Sequence, residues 1–142
     1  MRVSFLPDDR VEKVFTPQEA TRLLSDIKPL MRSLIEKKRV ADRIKDELER
    51  YKLVGIRTTD WRERAEYLER LAEEIMEIVE ILADIGVVVR DIDMGLIDFP
   101  AERYGERVYL CWRYGEKEVM YWHRVEEGLS GRKPLKTQIV PR

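Results

Sequence analysis

The sequence predicts an α+β fold, in which a long antiparallel helical hairpin packs on a small antiparallel β-meander. Two long segments carry apolar residues at alternating spacings of three and four, the spacing of an amphipathic helix. The period changes to two after residue 86, and two segments rich in β-branched and aromatic residues follow between residues 107 and 124. At 142 residues we expect one domain, with the helical hairpin in residues 16–86, the β-meander in 87–125 and a loop and tail in 126–142.

The first helix is predicted to run from Pro17 to about Lys52. Thr16 and Glu19 have the spacing of a capping box, and Pro17 occupies the first helical position. The apolar seam has the heptad spacing of a coiled coil and consists of Ala20, Leu23, Ile27, Leu30, Leu34, Ala41, Ile44, Leu48 and Tyr51. Pro29 lies inside this pattern. Because it removes one backbone hydrogen bond, we expect it to kink the helix without ending it.

The second helix is predicted to follow a short connection and to pack antiparallel to the first. Gly55 ends the first helix, Asp60 and Glu63 form a second capping box, and Gly86 is the stop signal. Residues 17–53 hold ten basic and seven acidic residues, whereas residues 60–85 hold three and nine. These opposite net charges favour the two helices as neighbours.

The β-region is predicted to form an antiparallel meander of about four strands. A strand at residues 87–89 turns at residues 93–95 and returns along residues 96–99, where Pro100 limits it. A hairpin over residues 107–124 follows, with Gly115 and Glu116 as its two-residue loop. A last short strand is possible at residues 138–140.

The two-residue loop sets a register in which Trp112 lies opposite Val119 and Val108 opposite His123. One face of the hairpin then carries Val108, Leu110, Trp112, Val119, Tyr121 and His123, and the other carries Tyr109, Cys111, Met120 and Trp122. Neither face is polar, so both need a cover. We expect the helices to cover one face, with Trp112 between them and the sheet.

A second copy of the chain is the cover that we favour for the other face, because soluble monomers seldom leave a large apolar patch exposed. The interface of this homodimer would contain Tyr109, Met120 and Trp122. The alternative cover is internal, since residues 1–15 and 136–142 also contain valine, phenylalanine and isoleucine.

Composition limits the classes of function. The net charge is −1, which gives no overall basic field for nucleic acid or membranes. One cysteine excludes an internal disulfide and a zinc site built from cysteines alone. We find no signal-peptide core and no apolar run near the ~20 residues of a membrane span, so we expect a cytoplasmic protein. Asparagine is absent while charged residues make up 39%, a composition typical of hyperthermophiles.

The candidate catalytic residues are Asp91, Asp93, Asp98 and His123. Carboxylates and an imidazole can hold a divalent metal with open positions, as in a metal-dependent enzyme. The alternative is that Asp93 serves the turn, Asp91 keeps the sheet edge soluble and His123 is a hydrogen-bonded, half-buried residue. Because the spacing matches no established metal motif, we expect no metal and no cofactor.

Other candidate sites are weaker. Cys111 as a nucleophile with His123 as its base is disfavoured, because the expected register puts them on opposite faces. Arg132 and Lys133 follow two glycines and are candidates for binding an anion, without the context of a phosphate loop. The basic residues within 37–43 are a candidate for phosphate or nucleic acid, although interspersed acids favour a solvated helix face.

Several segments resemble a prokaryotic family known as a domain of unknown function, whose members pair a helical hairpin with a distinctive sheet region. The matching segments are FTPQEA from Phe15, KPL from Lys28, DIDMGLIDFP from Asp91, YLCW from Tyr109, YWH from Tyr121 and GRKPL from Gly131. They span residues 15–135. The resemblance implies family membership and supplies no activity and no catalytic residues.

The function that the sequence favours is that of a non-enzymatic, self-associating interaction or scaffold protein. The second hypothesis is a metal-dependent enzyme that uses the Asp/His set, with an unknown substrate. The third is weak binding of nucleic acid or another anion.

Overall fold

The computed structural model describes residues 13–55 and 59–135, which form two helices followed by a five-stranded antiparallel sheet. The strands neighbour one another in chain order. The elements are α1 (Pro17–Val54), α2 (Thr59–Ile85), β1 (Val88–Asp91), β2 (Leu96–Arg103), β3 (Glu106–Arg113), β4 (Tyr121–Arg124) and β5 (Lys133–Pro134), with a 3-10 turn (Leu129–Gly131) before β5. The predicted α+β class is confirmed. The possible strand at residues 138–140 lies outside the described residues.

The first helix is continuous through Pro29, as predicted. Its start is fixed by the capping box: the Glu19 N–H donates to Thr16 Oγ1 at 3.1 Å, and the Thr16 N–H donates to Glu19 Oε1 at 2.9 Å. Its end is fixed by Gly55, which has a left-handed φ of 76°. The kink at Pro29 stays a prediction.

The two helices pack antiparallel, as their ion pairs show. Lys37 contacts Glu74 at 2.9 Å and Glu47 contacts Arg64 at 2.7 Å, so residue numbers rise along α1 where they fall along α2. An apolar cluster of Ala41, Ile44 and Leu71 lies between the same segments. α2 begins at Thr59, which places Asp60 in the first helical turn and not at the predicted N-cap position. There its carboxylate faces the positive end of the helix dipole.

The main core lies between the helices and one face of the sheet, which we call the helix face. This face consists of Ile97, Phe99, Ala101, Val108, Leu110, Trp112 and Trp122. The helices contribute Leu24, Ile27, Met31, Leu34, Ile78, Val79 and Leu82. Trp112 is fully buried, and its indole Nε1 donates to the Glu116 carbonyl at 3.0 Å. Its predicted position between sheet and helices is confirmed.

Pro100 does not limit the second strand, contrary to the sequence prediction. β2 runs on to Arg103, and Pro100 pairs with Tyr109 of β3. The Pro100 carbonyl points away from β3, because it accepts a hydrogen bond from the Phe15 N–H at 2.8 Å. Pro100 lies beyond the residues of β2 that pair with β1. The absence of its N–H therefore removes no hydrogen bond of the ladder.

The register between β3 and β4 differs by one residue from the predicted one. Leu110 pairs with Trp122 and Tyr109 with His123, because residues 114–120 form a longer connection than a two-residue loop. Part of this connection is held by α1, since the Val119 N–H donates to Thr21 Oγ1 at 3.0 Å. A shift of one residue exchanges the two faces of a strand. Trp122 therefore joins the core, and His123 lies on the same face as Cys111.

None of the described helices contains an apolar stretch that would suffice to cross a membrane. Both are amphipathic, with charged residues on the side away from the core.

Candidate functional site

Three buried side chains converge on the face of the sheet opposite the helix face. Asp98 on β2 is the direct neighbour of Cys111 on β3, and His123 on β4 pairs with Tyr109, two residues before Cys111. Their exposed fractions are 0%, 1% and 3%. Each side chain has one atom that could bind a metal ion, and these three atoms lie within 4.8 Å of one another. We call this set the Asp–Cys–His cluster.

The orientation of His123 is fixed by its backbone hydrogen bond. Its Nδ1 lies 2.8 Å from the Arg124 carbonyl oxygen, which can only accept, so Nδ1 carries the proton. Nε2 then faces the Asp98 carboxylate, 3.0 Å and 3.1 Å from its two oxygens. Two acceptors cannot face each other without a proton or a cation between them. Nε2 and Asp98 must therefore share a proton or bind a metal ion together.

Arg90 compensates the buried charge of Asp98. Its Nε donates to Asp98 Oδ2 at 2.7 Å, and its guanidinium lies 4.7 Å from the centre of the Tyr109 ring. Burial alone would lower the pKa of Arg90, but its hydrogen bond to Asp98 and the charge of that carboxylate raise it above the ordinary value. The carboxylate therefore has a permanent cation on one side and the imidazole on the other.

Cys111 is a neutral thiol at neutral pH when no metal is bound. Burial, followed by the charge of Asp98, raises the pKa of its thiol to about 11, although Arg132 opposes this shift. Arg132 Nε donates to the sulfur at 3.2 Å. The same guanidinium forms two bonds to Glu116, at 2.8 Å and 2.9 Å, and lies 4.1 Å from the centre of the Tyr121 ring.

The donor set suits a transition metal. Carboxylate, thiolate and imidazole all bind zinc, with bonds of about 2.0–2.3 Å, so ligand atoms around a tetrahedral ion lie roughly 3.3–3.5 Å apart. Nε2 of His123 already lies 3.0 Å and 3.1 Å from the two Asp98 oxygens, and the sulfur of Cys111 lies within 4.8 Å of the ligand atoms of both residues. The bond from Nδ1 to a backbone carbonyl is the contact that usually orients a metal-binding histidine. Three protein ligands leave one coordination position open.

The structure brings together two of the four predicted catalytic residues. Asp98 and His123 are in contact, whereas Asp91 accepts a hydrogen bond from the Met94 N–H at 3.0 Å and serves the turn. Asp93 forms an ion pair with Lys38 at 3.2 Å. The alternative had given the turn to Asp93, whereas in the structure Asp91 serves the turn and Asp93 contacts a lysine of α1.

The predicted anion-binding residues are engaged with acids of the chain. Arg132 is bound to Glu116, and Lys133 contacts Glu127 at 2.8 Å and the Gly131 carbonyl at 3.0 Å. In the basic segment, Lys37 pairs with Glu74 and Lys38 with Asp42. Within residues 13–55 and 59–135, Arg39 and Arg43 of this segment form no ion pair.

Trp122, the largest residue of the expected dimer interface, does not lie on the surface. Trp122 is 6% exposed and packs in the core, while Tyr109 and Met120 are half-buried. The prediction that Trp122 shares a face with Cys111 was wrong, because it depended on the two-residue loop.

Sequence reasoning missed Cys111 as a partner of Asp98 and His123 for the same reason. A signal was available, since Asp98, Cys111, His123 and Arg132 all lie within the segments that carry the family resemblance. The nucleophile hypothesis gains nothing from the new register. Nδ1 of His123 is bound to a carbonyl and Nε2 faces Asp98, which leaves no nitrogen to accept the thiol proton.

A comparison with protein families identifies the chain. The profile of DUF2203, described as an uncharacterized conserved protein, matches residues 13–135. The chain belongs to the DUF2203 family. The comparisons with curated proteins and with solved structures give no match. The DUF2203 match covers all the strands and all three residues of the Asp–Cys–His cluster.

Proposed function

We propose that this DUF2203 protein binds zinc, with Asp98, Cys111 and His123 as ligands. The observation that carries the proposal is the convergence of three different ligand types, from three strands, on one buried point. A single short motif cannot produce this arrangement, because the ligands meet only when the sheet has formed. Magnesium and calcium prefer sets made of oxygen alone, so the thiol and the imidazole favour zinc or a similar transition metal.

The charges of the two anionic ligands suit a divalent ion. A carboxylate and a thiolate would neutralise the charge of Zn²⁺. Arg132 donates a hydrogen bond to the sulfur and Arg90 to the carboxylate, and these contacts orient the two ligands. Metal binding deprotonates a coordinating thiol. A bound ion would therefore offset the rise that burial causes in the pKa of Cys111.

A metal-dependent enzyme is the second candidate function. The open coordination position favours it, because zinc sites with three protein ligands and one water are typical of catalysis. In this role Asp98, Cys111 and His123 would hold the ion, and its fourth ligand would be water or an atom of the substrate. Among the cluster's neighbours, Arg90 has a side chain that is 40% exposed, whereas the three ligands themselves are buried.

Calorimetric titration of the chelator-treated full chain with ZnSO₄ tests the proposal. We expect one equivalent with a Kd of about 1 μM or below, in the range where metal binding contributes to folding free energy. Asp98→Asn, Cys111→Ser and His123→Gln should each weaken binding by at least about tenfold, since each removes one ligand. Circular dichroism confirms that each variant is folded.

Asp91→Asn is the matched control, because Asp91 is an acid on the neighbouring strand and its carboxylate accepts a hydrogen bond from the Met94 N–H in the turn. Its affinity for zinc should equal that of the unmodified chain. Zinc binding that is absent, or that is the same in all four variants, would overturn the proposal. In that case the cluster is a proton-linked Asp–His pair beside a structural cysteine.

A further inference from the structure

A cleft of about 280 Å³ lies between the middle of α1 and the turn that joins β1 to β2. Arg32 and Arg39 line it from α1, Met94 from the turn, and Arg113 and Tyr114 from the end of β3. An adjoining cleft of about 330 Å³ shares Arg32, Glu36 and Tyr114 and continues along α1 past Pro29. The proposed zinc ligands Asp98, Cys111 and His123 line neither cleft.

Two arginines in this cleft have no acidic partner. Arg32 is paired with Glu36 at 3.6 Å, and Asp93 is occupied by Lys38 at 3.2 Å. Within residues 13–55 and 59–135, neither Arg39 nor Arg113 forms an ion pair. The cleft is therefore lined by three guanidinium groups and two carboxylates, and two of the guanidinium groups have no acidic partner in the described part of the chain.

An aromatic ring is held at the boundary of the two clefts. The Tyr114 N–H donates to the Gly95 carbonyl at 2.8 Å, and a Cβ atom at position 95 would lie 2.6 Å from Tyr114 Cβ. Gly95, with a φ of 68°, thus permits this close approach. The ring packs edge-on against buried Trp112, with centroids 6.0 Å apart, which fixes its orientation. It remains partly exposed to the clefts.

We propose that this cleft binds a small organic phosphate monoester with an aromatic body. Arginine binds phosphate oxygens through pairs of parallel hydrogen bonds, and two arginines match the nearly double negative charge of a monoester. The ring of Tyr114 and the apolar surface of Met94 and Ile35 would contact the body of the ligand. Glu36 and Asp93 also line the cleft, and they would repel a continuous chain of phosphates. A single phosphate group fits better than nucleic acid.

Calorimetric titration of the full chain with phenyl phosphate, and in parallel with inorganic phosphate, tests this assignment. We expect saturable binding of phenyl phosphate, at least about tenfold tighter than that of inorganic phosphate, because the ring adds contact with Tyr114. Arg39→Gln and Arg113→Gln should each weaken binding about tenfold, since each removes hydrogen bonds to a charged group. Tyr114→Phe should bind like the unmodified chain, whereas Tyr114→Ala should lose the preference for phenyl phosphate.

Arg43→Gln is the matched control, because Arg43 is an exposed arginine of α1 that does not line either cleft. Its affinity should be unchanged. The proposal is overturned if phenyl phosphate does not saturate, if Arg43→Gln weakens binding as much as Arg39→Gln, or if the two phosphates bind equally. Binding of a single-stranded oligonucleotide that is tighter than that of phenyl phosphate would also overturn it.

Discussion

Cys111 shows how the environment of one residue sets its chemistry. In the folded chain the pKa of the thiol is raised to about 11, because burial and the neighbouring Asp98 disfavour the thiolate. An unfolded chain exposes the same thiol to water, where its pKa is near 9.0. Between these two values the unfolded state loses its proton first.

The free energy of unfolding should therefore fall as pH rises from 9 to 11, because the raised pKa stabilises the folded state only below this window. The contribution of Cys111 is about 1.4 kcal/mol per pH unit, or roughly 3 kcal/mol in all. Denaturant unfolding in the presence of a chelator measures it, as the difference between the unmodified chain and Cys111→Ser. Tyrosines and lysines titrate in both proteins and cancel. A difference that does not change with pH would show that the thiol is not desolvated.

Among the residues of the helix face, Trp112 is the one whose replacement should lower the free energy of unfolding most. It is fully buried between the sheet and the helices, so Trp112→Ala leaves a large cavity. We expect a loss of about 3–5 kcal/mol in the free energy of unfolding, measured by denaturant titration. Leu53→Ala is the control, because Leu53 is 83% exposed, and its effect should stay within about 0.5 kcal/mol. A loss below ~1 kcal/mol for Trp112→Ala would contradict the packing described here.

At the scale of elements, the helices were predictable and the last hairpin was not. The apolar seam, the capping box at Thr16 and the glycines at 55 and 86 gave the helix bounds, because these signals are local in sequence. The register of β4 depends on how residues 114–120 fold back, and part of that path is held by a contact with α1. Contacts of this kind are distant in sequence, so the pattern of strand residues alone could not select between two registers.

Thr21 of α1 should therefore stabilise the connection that sets the register. Its Oγ1 is the acceptor for the Val119 N–H, which is partly buried. Thr21→Val keeps the shape and removes the acceptor, so we expect a loss of about 1–3 kcal/mol in the free energy of unfolding. Thr21→Ser keeps the hydroxyl and should retain most of the stability. Equal losses in the two variants would show that the methyl group matters and the hydrogen bond does not.

For the molecule as a whole, the face of the sheet opposite the helix face has a different role from the predicted one. The pattern of apolar residues in the hairpin at residues 107–124 predicted an apolar face, for which a second copy of the chain was the favoured cover. In the structure this face has the Asp–Cys–His cluster at its centre, and Arg90 and Arg132 lie over Tyr109 and Tyr121. Self-association stays a prediction, and of its expected interface only Tyr109 and Met120 remain outside the core.

The candidate site could be predicted from the sequence only in part. The residue types were visible, and the sequence singled out Asp98 and His123. The association of Cys111 with them required the register of three strands, because a shift of one residue moves His123 to the helix face. Asp91 and Asp93 were grouped with them by proximity in sequence, yet the turn and Lys38 engage them instead.

X-ray absorption spectroscopy at the zinc edge, on the zinc-loaded full chain, tests the central claim most directly. Zinc held by Asp98, Cys111 and His123 gives one sulfur at about 2.3 Å, and nitrogen and oxygen neighbours at about 2.0–2.2 Å. Cys111→Ser should lose the sulfur contribution and keep the lighter neighbours. A spectrum of the unmodified chain that contains nitrogen and oxygen alone would contradict the claim, because the ion would then lie away from the chain's single cysteine.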